Sequence, residues 1–186
     1  MLDLVRSATN LAVKIVMFPI PTLTTSRLIL RPMRIEDWPS YRQLMSTERA
    51  RFMGGPFSEA VAWGMFCSDH AQWDLFGCGA LMIDDQATGA CVGQVGINAG
   101  PLFPEWELGW FVYPEFEGRG YAHEAAKALL QWAKEVRRLP SLVSYVDADN
   151  VRSSALAMRL GAVLDGNAAR PAPGDLVYRH YPGVSG

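Results

Sequence analysis

The segment Tyr113-Pro114-Glu115-Phe116-Glu117-Gly118-Arg119-Gly120-Tyr121-Ala122 constrains this chain more than any other. The preceding run, 105–113, is rich in aromatic and aliphatic residues and reads as a strand that Pro114 stops. Two glycines one residue apart then open into the strongest helical pattern in the chain, 120–138. There Ala122, Ala125, Ala126, Leu129, Leu130, Ala133 and Val136 recur at helical spacing. Lys134, Arg137 and Arg138 complement the C-terminal end of its dipole. A strand–loop–helix junction of this kind favours anions, because the first N–H groups of a helix lack intrahelical partners and lie at its positive end. Gly118 and Gly120 let a bulky anion approach the backbone. A plain connection that needs glycine only for its turn explains the spacing equally well. The dinucleotide fingerprint is absent, since His123 stands where its third glycine would be, and no Gly-Lys-Ser/Thr loop is present.

The other elements fall on either side of this junction. Arg27-Leu28-Ile29-Leu30-Arg31 alternates charged and aliphatic residues and reads as a strand ended by Pro32. Glu36-Asp37-Trp38 opens a helical stretch through Leu44 and Met45, with its acidic residues where the dipole favours them. Ser58 is an N-cap for a second helix through Val61, Trp63, Met65 and Phe66. Residues 80–84 and 91–98 read as a hairpin turning through Asp85-Gln86-Ala87-Thr88-Gly89, with 105–113 as the next antiparallel strand. A short strand at 142–146, a helix at 153–160 stopped by Gly161 and a last strand at 176–181 complete the order. This is a mixed α+β domain over 22–183. It follows an N-terminal extension, 1–21, whose residues 2–17 read as a loosely amphipathic helix, with Met17 a second candidate start.

Composition narrows the function classes. At 186 residues the chain has room for one domain with a core that needs no staples. Lys+Arg 17 against Asp+Glu 19 leaves a net charge of −2, which argues against a broad basic surface for nucleic acid. Cys67, Cys78 and Cys91 are odd in number and form no CxxC, and His70, His123 and His180 are far apart. Neither a disulfide framework nor a metal site is expected. The apolar run 11–20 is broken by Lys14 and is too short to span a membrane. The expectation is a cytoplasmic protein bound to neither membrane nor nucleic acid.

The residues 117–122 resemble the pyrophosphate loop of the GCN5-related N-acetyltransferases (GNAT), Gln/Arg-x-x-Gly-x-Gly/Ala. Gly120 and Ala122 match, and Glu117 stands where Gln or Arg is usual. Asn150-Val151-Arg152-Ser153 with Met158-Arg159-Leu160-Gly161-Ala162 is similar to a segment of the ribosomal-protein-alanine acetyltransferase subgroup. Thr25-Ser26-Arg27-Leu28-Ile29-Leu30-Arg31-Pro32 is similar to that subgroup's opening. The ordered matches span 25–162 and together are specific.

The resemblance implies the GNAT fold, a mostly antiparallel mixed sheet splayed between its fourth and fifth strands and flanked by helices. It implies acetyl-CoA as co-substrate, no metal, and direct attack of a primary amine on the thioester. The acceptor would be a protein N-terminus or a small molecule, and the enzyme a monomer or homodimer. The pantetheine arm would pair with the fourth strand at Phe111 and Val112. The pyrophosphate would sit on Gly118, Arg119, Gly120, Tyr121 and Ala122, with His123 nearby. Asn150 and Ser153 match positions near the thiol. Many relatives carry a proton-donating tyrosine where this chain has Ala157, which leaves Ser153 or a water as the candidate acid. Glu107 matches a position that is often acidic and is the candidate base. Glu105, two residues earlier, is expected on the same strand face. Arg49, Arg51, Phe52, Trp63 and Trp73 are candidates for the acceptor wall, although core roles suit the aromatics too. The glycine junction alone also suits a nucleotide-binding protein. The missing tyrosine leaves open a catalytically silent acyl-CoA-binding or sensor module of the same fold.

Overall fold

The hairpin expected around Gly89 forms, and the sheet extends outward from it. The computed structural model describes residues 19–181, so the helix expected over 2–17 lies outside the described residues. Eight strands make one sheet: β1 (Leu23–Thr24), β2 (Leu28–Pro32), β3 (Ala80–Asp85), β4 (Cys91–Asn98), β5 (Glu107–Val112), β6 (Leu142–Asp147), β7 (Val163–Leu164) and β8 (Asp175–Tyr181). Their spatial order follows the chain to β6, then β8, then β7. Two-residue β1 and β7 were not expected, so the anticipated fourth and fifth strands are β5 and β6.

Four α-helices flank the sheet: α1 (Trp38–Met45), α2 (Glu59–Phe76), α3 (Tyr121–Glu135) and α4 (Val151–Arg159). The first helical stretch begins as a 3-10 turn, Ile35–Asp37, and a second such turn, Glu48–Met53, follows α1. Ser58 caps α2 as expected, its hydroxyl accepting from the Val61 N–H at 3.4 Å, and Gly77 closes that helix at φ 66°. Helix α3 ends at Glu135, short of the expected 138. The chain turns there through Arg138 at φ 55°, and Arg137 donates to the carbonyls of Phe76 and Gly77.

Strand alternation sorts side chains onto the two faces. Leu81, Ile83, Val95, Ile97 and Leu108 go to one face, where the small Ala125, Ala126 and Ala133 bring α3 close. Ala80, Met82 and Tyr113 go to the other, under α1 and α2. Ile20 packs on the first cluster, although the sequence placed it in the extension. Among the described residues no helix is long and apolar enough to cross a membrane.

The junction of β5 and β6 is the feature that positions the site. It is the sheet's parallel contact, and its register holds at Glu107↔Val143 alone. By contrast β4 and β5 stay paired from Gly93↔Val112 to Asn98↔Glu107. Around that point the Val143 N–H donates to Trp106 O at 3.0 Å, and the Ser144 hydroxyl donates to Leu108 O at 2.6 Å. Beyond Leu108 the two strands part, which gives the expected splay.

Candidate active site

The glycine junction becomes a backbone cradle at one end of the splay. Gly118 and Gly120 lie in the left-handed region, φ 76° and 80°, which glycine adopts without strain. A Cβ at Gly118 would meet nothing within 4 Å, so this backbone faces open space. Helix α3 starts immediately afterwards with Gly120 as its N-cap, leaving the N–H groups of the first turn free of a side-chain cap. Its start is tied down from the β1–β2 turn. Burial alone would raise the Glu124 carboxyl, but bonds from Thr25, Arg27 and Ser26 hold it below the ordinary range. Tyr121 contributes only its backbone to the cradle, because its buried hydroxyl donates to Asp85 at 2.7 Å. Arg119 folds back, donating to Glu115 O and covering the Phe116 ring. Half-buried Ala122 follows in the first turn. His123 lines a groove of about 650 Å³ beside the cradle, together with Arg27, Lys127 and Arg159. Glu117 pairs with Arg49 and, at 2.9 Å, with Arg152.

Backbone direction separates the β5 residues expected to meet the co-substrate. The Tyr113 N–H donates to Val92 O on β4, and Phe111 O lies against Gly93. Peptide groups alternate along a strand, so those of Phe111 are committed to β4. Those of Trp110 and Val112 face the splay. The peptide groups of Val112, expected to meet pantetheine, and of Trp110 are thus the ones open to the splay, and those of Phe111 are turned away from it. The Phe111 ring instead meets those of Tyr41 and Tyr113 on the α1–α2 face.

Across the splay, the Asn150 side chain caps α4 by accepting from the Ser153 N–H at 3.1 Å. This fixes Ser153 at the first turn and makes no use of its hydroxyl. Ala157 is fully buried, so no side chain reaches out from the position of the family tyrosine.

Glu107 sits on β5 with its side chain toward α2. Its residue is 8 % exposed, and burial pushes its carboxyl up to about 7 against the opposing bond from Asn98. Asn98 Nδ2 donates to Oε2 at 2.6 Å, and Gln72 of α2 holds Asn98 in turn at 3.2 Å. The carboxylate leans over Gly109, where a Cβ would come within 3.2 Å of both oxygens. Glu105 does not share this position. It precedes β5, is bound by both terminal nitrogens of Arg179 at 2.7 and 2.8 Å, and is thereby held low. The expected common face fails because the alternation rule ends where the strand does.

Asp69 of α2 was missed. Its Oδ2 accepts from the Tyr41 hydroxyl at 3.1 Å and from Gln94 Nε2 at 3.2 Å, and burial pushes it up to about 6. The signal in the sequence was spacing. Gln94 and Asn98 break an apolar strand on one face, and Asp69 and Gln72 lie one helical turn apart. Of the wall candidates, half-exposed Trp63 packs on Trp38 and Phe66. Trp73 is core: it donates to Ala80 O and packs on Trp132. Arg51 covers Phe52, and Arg49 is held by Glu117.

The sequence matches the acetyltransferase (GNAT) domain family over residues 27–163. The structure superposes on an acetyltransferase from Agrobacterium tumefaciens str. C58 with a TM-score of 0.86 and 55% sequence identity, covering 88% of this chain and 96% of that one. By sequence it is similar to the uncharacterised N-acetyltransferase YnaD of Bacillus subtilis (strain 168), 23% identical over 148 residues that cover 77% of this chain and 84% of the relative. A ribosomal L7/L12 alpha-N-protein acetyltransferase solved in complex with coenzyme A shares the fold, with a TM-score of 0.69 at 17% identity over 86% of this chain and 96% of that one.

Proposed function

Because the chain belongs to the GNAT acetyltransferase family, we propose that it moves an acetyl group from acetyl-CoA to a primary amine, with Glu107 as the base. The observation that carries this reading is the Glu107 carboxylate itself. It is buried at the paired position of the β5–β6 contact, just before the strands part, and Asn98 holds one of its oxygens. Among the described residues the other has no partner.

The cradle fits the co-substrate. Left-handed glycines followed by an uncapped helix start suit a pyrophosphate, and the outward peptide groups of Trp110 and Val112 suit an extended amide arm. Acetyl-CoA would supply the activated acyl group. The backbone N–H groups of Gly118 to Ala122 bind its anionic end. The β5 N–H groups that face the splay donate to the carbonyl oxygen as negative charge gathers there. Glu107 accepts the proton that the amine loses on attack. Among the described residues the Ser153 hydroxyl has no partner; it passes a proton from water to the departing thiolate, taking one as it gives one, and Asn150 fixes its position. The amine acceptor, the cytoplasmic setting and the monomer or homodimer state are parts of this proposal.

Glu107→Gln keeps the shape and the Asn98 bond but takes no proton. Turnover should fall about a hundredfold with acetyl-CoA affinity nearly unchanged. The wild-type rate should rise with pH through about 7 as Glu107 ionises, and the variant should lose that limb. A variant within threefold of wild type at every pH removes Glu107 from the mechanism. The buried Ala157 favours one second reading, a silent acyl-CoA-binding module. It predicts calorimetric binding of acetyl-CoA with no thiol released for any amine.

A further inference from the structure

The α1–α2 face of the sheet carries a second carboxylate that the chemistry above does not use. Gln94 and Asn98 lie four residues apart on one face of β4, roughly 13 Å along a strand. Each donates to a different carboxylate, Gln94 to Asp69 and Asn98 to Glu107. Between these two amide–carboxylate pairs the strands present Gly96 opposite Gly109, so the floor there is bare backbone. Helix α2 runs alongside. Its Asp69 stands over Gln94, and its Gln72, one turn on, bonds Asn98 and the Ala99 N–H. The strip of sheet face between them, with a carboxylate at either end, is the candidate slot.

Both ends are half-committed in the same way. Asp69 places both of its hydrogen bonds on Oδ2, and Glu107 places its bond from Asn98 on Oε2. Among the described residues Asp69 Oδ1 and Glu107 Oε1 have no partner, and neither belongs to the buried unsatisfied atoms. Each therefore keeps a little solvent contact. Around the Asp69 end stand aromatic faces. Tyr41 holds Asp69 and meets Phe66 and Phe111, and Trp38 and Trp63 continue the wall toward solvent. Aromatic faces beside an open carboxylate suit an ammonium group partly stripped of water. Among the described residues no lysine or arginine side chain is bonded to either carboxylate.

We propose that Asp69 selects the acceptor, binding a second ammonium group, and that the substrate class is an aliphatic diamine or polyamine acetylated at one end. The inference rests on Glu107 marking the reacting end. At neutral pH such an amine arrives with both ends charged. The end at Glu107 first gives one proton to solvent and then attacks as the neutral amine, Glu107 taking the proton released as the bond forms, while the other end stays protonated on Asp69. The product has exchanged one charged end for an amide. It fits the slot with its free amine at only one carboxylate, so the enzyme stops after one acetyl group. Burial raises both carboxyls, and for Glu107 the charge of Asp69 adds to it, so a cation at either end would favour the ionised form.

The test compares diaminobutane and diaminopentane with butylamine and pentylamine, following CoA release and identifying products by mass. The diamines should exceed the matched monoamines at least tenfold in kcat/KM and give monoacetyl products. Asp69→Asn, which keeps the Tyr41 and Gln94 contacts in shape, should erase most of that preference by raising KM for the diamines. The monoamines, which carry no second ammonium, should lose much less, and circular dichroism reports a folded enzyme. Equal use of mono- and diamines overturns the inference but leaves amine acetylation and Glu107 standing. So does a better rate on short neutral peptides, or an Asp69→Asn enzyme that loses both amine classes equally. If no acceptor releases CoA, calorimetry of diaminopentane into CoA-saturated protein decides. Binding weakened tenfold by Asp69→Asn supports the slot, and no binding by wild type removes it.

Discussion

At the scale of single residues, function and stability oppose one another at Glu107. Its carboxyl is pushed from the ordinary 4.5 to about 7 by burial. Between those values the unfolded chain has released its proton and the folded chain has not, so stability falls as pH rises across the window. The penalty is complete above pH 7 and amounts to about 3 kcal/mol, an order-of-magnitude figure from the size of the shift. Glu107→Gln carries no such charge. The variant should therefore melt several degrees above wild type at pH 8 and close to it at pH 4, which thermal denaturation at the two pH values measures. Equal melting temperatures at pH 8 would mean that Glu107 is well solvated when ionised. A base with a raised pKa is thus obtained at the expense of the fold, as is common where a site needs a group the core would reject.

At the scale of elements, the cradle depends on backbone conformation more than on side chains. Gly120 at φ 80° ends the loop and caps α3, and a Cβ there would lie 3.5 Å from the Arg27 guanidinium, so space is not the obstacle. The obstacle is the left-handed backbone, which costs an ordinary residue about 1–2 kcal/mol. Gly120→Ala should loosen the helix start and weaken acetyl-CoA roughly tenfold in calorimetry, with β5 and Glu107 undisturbed. An unchanged affinity would place the anion elsewhere. This junction was legible in the sequence because its physics is local: Pro114 stops a strand, two glycines bend the chain and a periodic run begins. The same holds for the Ser58 cap and the hairpin at Gly89. Other features were not local. Strands β1 and β7 are two residues long and exist only because β2 and β8 offer them a ladder. Asp69 reads as one polar residue on a helix until β4 places Gln94 beneath it. That the Phe111 peptide groups face β4 was not legible either, because their direction depends on which neighbour the strand pairs with, and a single sequence does not state that.

At the scale of the whole molecule, the splay divides the sheet into a body built on β1–β5 and a smaller leaf of β6, β8 and β7. Two polar ties join them near their common base. Ser144 on β6 donates to Leu108 O while His180 on β8 lies 2.9 Å from its hydroxyl. Arg179 on β8 clasps Glu105 just before β5 and also Asp165. Arg179→Met would leave both carboxylates without that cation and lower stability, modestly because the cluster is about a quarter exposed. Arg179 holds both carboxyls below their ordinary values, so its stabilisation is present above their unfolded pKa near 4 and is lost as pH falls through the folded values. Urea midpoints should separate variant from wild type at pH 7 and converge in acid. A constant gap at every pH would assign the loss to packing instead. The opposite end of the cleft is fastened differently. There Glu117 on the cradle faces Arg49 of the turn Glu48–Met53 and Arg152 of α4, with both arginine side chains about half exposed or more. One acidic residue thus touches the acceptor side, the cradle and the leaf, through charges that mobile ions can reach. Interactions of this kind weaken as the Debye length shrinks from about 10 Å at 0.1 M salt to about 3 Å at 1 M. Ionic strength should accordingly act as a throttle on traffic through the cleft mouth: in concentrated salt the bridge relaxes and spent CoA departs sooner.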